Sequence, residues 1–249
     1  MSVIKEKLWT KEFLFISLIN FIITLMFYLL IVTIASYAQS EYGATTSTAG
    51  LVSSIFIIGS LIGRLGAGRV IGNIGTQKTL WIGLLFFTIT SALYFATFNI
   101  GLLIVNRLLQ GIAVGIAGTA TGTIIAQILP NTRKGEGIGY YSLSAILATA
   151  IGPFLGILLL KMEGGFQWIF AMNVVLSVVC LIIYAIVKIE VPLPKFPNQD
   201  MEKSSFISKF IEPRAIPISF VALLIGFSYS GVMSFLSFYA DEINLVSAA

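Results

Sequence analysis

The chain has 249 residues, of which 57% are hydrophobic and 10% charged, with a net charge of +4. A soluble domain carries about 25% charged residues, and one this apolar would expose large greasy patches, so the composition argues for a bilayer and against a water-soluble enzyme. Histidine is absent and Cys180 is the one cysteine, which excludes imidazole acid–base chemistry, an internal disulfide and the common metal-ligand sets.

A spanning helix needs about 20 predominantly apolar residues. Seven segments meet or approach that length: Phe13–Ser36, Ala49–Gly68, Leu80–Phe98, Gly101–Leu129, Tyr140–Leu160, Phe166–Val187 and Ile216–Tyr239. The first follows Lys5, Lys7 and Lys11 but is too long for a signal peptide and lacks a clean small-residue cleavage site. With the N-terminus inside, the cytoplasmic segments are the tail, 69–79, 130–139 and 188–215. They hold nearly all the lysines and arginines, whereas the opposite loops hold Lys161 beside Glu41, Glu163, Asp241 and Glu242. That asymmetry is the positive-inside pattern and predicts a multi-pass cell-membrane protein with a cytoplasmic N-terminus.

Three domains are expected. Residues 1–187 form a six-helix transmembrane bundle. Residues 188–215, carrying Pro192, Pro194, Pro197 and Pro213 among charges of both signs, form a cytoplasmic linker. Within it, Phe206–Ile211 has the pattern of a short surface helix. Residues 216–249 form the first helix of an incomplete second bundle.

Glycines recur four apart as Gly59 and Gly63, Gly111 and Gly115, Gly118 and Gly122, and Gly152 and Gly156. Such spacing suits close helix packing, and equally suits helices that slide on one another. Arg107 falls about 10 Å inside the fourth span at a rise of about 1.5 Å per residue. An ionisable residue at that depth marks a functional site, although snorkelling to the interface is the bland alternative. Gln110 shares its face at the i+3 spacing. No Asp or Glu lies within the seven spans, so no titratable coupling carboxylate is visible. Asn20, Thr24, Phe27 and Tyr28 recur at helical spacing and, with Asn173, are candidates to line a cavity or to bond neighbouring helices.

The run Arg107, Gln110, Gly111 to Gly115 resembles the R-x-x-Q-G motif of the major facilitator superfamily, whose arginine is associated with proton coupling. Gly152, Pro153 and Gly156 resemble the G-P-x-x-G core of its drug:proton antiporters. Gly68 and Gly75, followed by Lys78, resemble the inner-gate loop after the second helix, but Gly72 replaces its aspartate, and Asn73 and Thr76 its arginines. The resemblance implies an all-α integral membrane fold with a six-helix N-terminal bundle plus one further helix. It implies a transmembrane transporter working by alternating access, with proton-coupled efflux of drugs or metabolites, no enzyme activity, no cofactor and no metal. Its partners would be the lipid bilayer, a small-molecule substrate and protons, without nucleic acid. Members have twelve or fourteen helices, so the chain is expected to be truncated after the seventh helix and inactive alone. The rival readings are a seven-helix receptor or sensor, which leaves both motifs unexplained, and a non-transporting membrane fragment.

Overall fold

A computed structural model describes residues 6–187 and 213–228. The chain divides into two units, residues 1–194 and 195–249. In the first, six long helices follow one another: α1 Lys11–Tyr42, α2 Thr46–Ile74, α3 Thr76–Leu93, α4 Ile100–Ile128, α5 Lys134–Leu160 and α6 Gly165–Ile186. All six are long and apolar enough to cross a membrane. In the second unit a turn at Pro213–Ala215 leads into the shorter apolar helix α7, Ile216–Ser228. The rest of the expected span to Tyr239, and the expected surface helix at Phe206–Ile211, lie outside the described residues. The described protein is all-helical, as an integral membrane bundle requires when lipid cannot satisfy backbone groups.

Local chemistry sets the helix ends. Thr10 Oγ accepts the Phe13 amide at 3.2 Å and opens α1. Gly43, at φ 60°, closes it, and its neighbour's amide bonds Ala38 O. Thr45 and Asn99 cap α2 and α4 with bonds to Thr48 N and Leu102 N. Hydroxyls inside the spans bond back onto their own helix, as Thr33 does to Leu29 O at 2.9 Å and Ser91 to Phe87 O at 2.8 Å. Those hydroxyls therefore enter the bundle satisfied, whereas Ser17 Oγ and Ser53 Oγ are buried without a hydrogen-bond partner among the described residues.

The expected loop at 69–79 is not a loop. α2 runs on to Ile74, with Ala67 and Ile71 buried at i,i+4 spacing, and the reversal falls on Gly75 alone at φ 84°. Gly68 therefore lies within a helix and Lys78 in the first turn of α3. The apolar register outweighs the low helix propensity of Gly68 and Gly72.

The most extensive packing is α2 on α4, followed by α1 on α5 and α3 on α4. Across the α2–α4 contact the glycines interlock. A Cβ on Gly59 would stand 2.2 Å from Leu108 O, and one on Gly63 2.2 Å from Ile112 O. Reciprocally, Cβ atoms on Gly111 and Gly115 would stand 2.2 Å from Phe56 O and 2.3 Å from Ser60 O. The two backbones touch where any side chain would hold them apart, which is the small-residue route to helix association in lipid. Large apolar side chains such as Leu85, Ile89, Val105, Val175 and Ile182 are exposed on the outside, as lipid-facing positions should be.

Candidate functional site

A cavity of about 800 Å³ opens between α1, α2, α4 and α5. Asn20, Thr24, Phe27 and Tyr28 line it from α1, Phe56, Ser60 and Arg64 from α2, Gly118 and Gly122 from α4, and Tyr141 and Ser142 from α5. Asn20 Nδ2 donates to Ser144 Oγ at 2.9 Å, and Tyr141 OH to Thr121 Oγ1 at 3.0 Å. The wall thus mixes aromatic faces with fixed polar groups, as ligand cavities do. Cβ atoms on Gly118 and Gly122 would meet nothing within 4 Å, so this glycine pair forms an open floor, unlike the packed pairs on α2 and α4.

Behind the cavity lies a buried polar cluster. Arg107 is fully buried, at 0% exposure. Its Nε donates to Val52 O at 3.3 Å, and its Nη1 to Gln110 Oε1 at 3.1 Å and Tyr94 OH at 3.3 Å. Tyr94 OH donates to the same Gln110 oxygen at 2.5 Å, and Gln110 Nε2 to Asn173 Oδ1 at 3.4 Å. The guanidinium carbon sits 4.7 Å from the Phe56 ring centroid, and Phe56 stacks on Phe27 at 4.8 Å. Among the described residues every group touching the cation is neutral, so its charge is held by dipoles and a ring face rather than by an ion pair. Arg107 Nη2 and Asn173 Nδ2 have no hydrogen-bond partner among the described residues. A buried cation so arranged is costly to keep, and its retention points to function.

Asn20 and Thr24 are at the cavity wall, but Asn173 is not. It is fully buried on α6 and receives the Gln110 amide, because α6 packs chiefly on α3 and α1 and contributes no residue to the cavity lining. Gly152 and Gly156 press on α1: added Cβ atoms would meet Tyr28 Cβ at 2.7 Å and Leu29 O at 3.0 Å. Their packing partner is thus α1, inside the bundle. Pro153 sits within α5. Tyr94 was not singled out from sequence, although the α3–α4 hairpin pairs it with Arg107 and Gln110. Among the described residues no group of three His, Cys, Asp or Glu side chains comes together to hold a metal.

Residues 16–248 match the sequence model of the Major Facilitator Superfamily. The chain belongs to that superfamily. It is a multi-pass membrane protein of a transporter family. Among its relatives, the galactose-proton symporter of Escherichia coli K12 is 27% identical over 146 residues, covering 59% of this chain and 31% of the symporter. Multidrug resistance protein 1 of Bacillus subtilis is 26% identical over 214 residues, covering 85% of this chain and 53% of that protein. The chain therefore spans about a third to about half of these relatives. Among solved structures, a bacterial homologue of the human lysosomal transporter Spinster, inward-facing and unoccupied, superposes with a TM-score of 0.66 at 16% identity, covering 95% of this chain and 56% of that one.

Proposed function

We propose that the bundle of residues 1–187 forms one wall of an alternating-access pathway for small-molecule export coupled to protons. Residues 188–215 act as the linker, and residues 216–249 begin the bundle that supplies the opposite wall. The observation that carries the reading is the placement of the fully buried Arg107 one aromatic ring behind an open cavity of about 800 Å³. In such carriers two bundles rock about a central site, and a buried cation favours the ionised form of any carboxylate that comes near it. Arg107 and Gln110 are the proposed coupling residues, Asn20 and Thr24 the substrate-facing ones. Gly68, Gly75 and Lys78 are proposed to act at the inner gate, with Gly111, Gly115, Gly152, Pro153 and Gly156 setting the helix packing on which the rocking turns. The relatives include both symporters and exporters; the Gly152, Pro153 and Gly156 core favours export. The cation-rich segments support a cytoplasmic N-terminus in the cell membrane.

The test is proton-dependent efflux of a fluorescent cationic dye from cells expressing two proteins. One is this chain, and the other is residues 1–215 joined to the second bundle of the Bacillus subtilis relative, at matched membrane abundance. Efflux from the joined protein alone is expected. Efflux from the 249-residue chain by itself would contradict the two-wall arrangement, and no efflux from the joined protein would contradict dye export.

A further inference from the structure

A second pocket, of about 380 Å³, sits where the C-terminal end of α1, the turn after α3 and the start of α6 converge. It shares no lining residue with the larger cavity. Tyr37, Tyr42, Tyr94, Phe166 and Phe170 build its walls, and Glu41 stands at its rim. Rings of an ordinary membrane-interface belt point outward, but here Tyr94 is 1% and Phe170 4% exposed. They are stacked at 4.9 Å and 9°, and Tyr37 meets Phe166 at 5.0 Å and Phe170 at 4.9 Å, both edge-on.

The tyrosine hydroxyls are already engaged. Tyr37 OH and Tyr42 OH lie 3.3 Å apart, Tyr42 OH bonds Thr97 O, and Tyr94 OH turns inward to Gln110 at 2.5 Å. A guest therefore meets ring surface of Tyr37, Tyr42 and Phe166, the Gln167 side chain and one carboxylate, since Glu41 forms no ion pair with a described residue. An anion would be repelled by Glu41. Aromatic walls with a nearby carboxylate suit a cation whose charge is spread over alkyl groups.

We infer that this pocket binds an alkylammonium group, either as a free organic cation or as the amine of a lipid headgroup. Its floor, Tyr94, is also a hydrogen-bond partner of Arg107. Occupancy therefore biases the buried cluster from a site separate from the transport cavity.

The experiment is calorimetric titration of the purified full chain with tetraethylammonium and with choline, repeated on Glu41→Gln and on Glu163→Gln, an exposed carboxylate that lines neither pocket. Saturable binding at about 1 mM or tighter is expected, weakened about tenfold by Glu41→Gln, an exposed position whose replacement spares the fold, and unaltered by Glu163→Gln. Repeating the titration in phosphatidylglycerol discs with and without phosphatidylethanolamine separates the sources. Equal affinity in both assigns the site to a free cation, whereas loss of affinity with phosphatidylethanolamine assigns it to the headgroup. Absence of saturable binding, equal binding to Glu41→Gln, or an equal loss in Glu163→Gln would each overturn the assignment.

Discussion

Phe56 stands between Arg107 and the cavity: the guanidinium carbon lies 4.7 Å from its ring centroid, and the same ring helps line the opening. Because Phe56 also stacks on Phe27, a substrate that displaces either ring alters the surroundings of the buried charge. A cation over a ring contributes about 2 kcal/mol or more when desolvated. In the joined protein, Phe56→Leu is expected to leave dye binding within about threefold and to cut proton-driven accumulation about tenfold. Parallel loss of binding and accumulation would make Phe56 a simple substrate contact.

Tyr94→Phe removes one hydroxyl that both donates to Gln110 and accepts from Arg107. Leaving buried partners short of a bond costs about 1 to 3 kcal/mol. The bundle's thermal midpoint in detergent is expected to fall by several degrees, and an unchanged midpoint would show that the cluster is not bonded as described.

The glycines separate into two kinds. Gly111→Ala and Gly59→Ala force a Cβ within 2.2 Å of a carbonyl on the facing helix, an overpacking worth about 1 to 3 kcal/mol. Gly118→Ala meets open space and is expected to hold or slightly raise stability, since alanine favours helix over glycine by about 1 kcal/mol. Gly118→Leu would fill part of the cavity floor, shifting dye preference toward smaller substrates without lowering the melting midpoint. Equal destabilisation at all these positions would contradict the division.

At the other end of the bundle from Glu41, Arg133 pairs with Glu136 at 2.7 Å and donates to Glu6 O at 2.7 Å, while Thr132 bonds the Glu6 carboxylate at 2.5 Å. An exposed ion pair contributes about 0 to 1 kcal/mol, so Arg133→Ala should change global stability little. It should nonetheless free the N-terminal segment, read as faster protease cleavage ahead of Thr10. Unchanged cleavage would show that the Thr132 bond to Glu6 and Leu8, buried against the bundle, hold the segment without Arg133.

The sequence carried most of the fold and part of the site. Spans were legible because lipid-facing and core positions are both apolar, so hydropathy marks them without tertiary knowledge. The end of α2 was not, because Gly68 and Gly72 read as loop residues while the buried Ala67 and Ile71 kept the helix going. Arg107 and Gln110 stood out as polar residues at helical spacing inside an apolar run. Of the two readings open for Asn173 the helix-bonding one holds, through Gln110, since a polar residue on a helix states that it needs a partner but not on which side. Tyr94 and the aromatic pocket depend on register across the α3–α4 hairpin and on contacts between α1 and α6, which composition does not encode.

The most direct measurement is proton-driven dye exchange by the joined protein in liposomes, comparing the parent with Arg107→Gln and Arg107→Lys. If Arg107 couples protons to substrate movement, the gradient-driven rate should fall at least about tenfold in both variants, while exchange of dye down its own gradient persists. Gradient-driven exchange at the parent rate in Arg107→Gln would contradict the account.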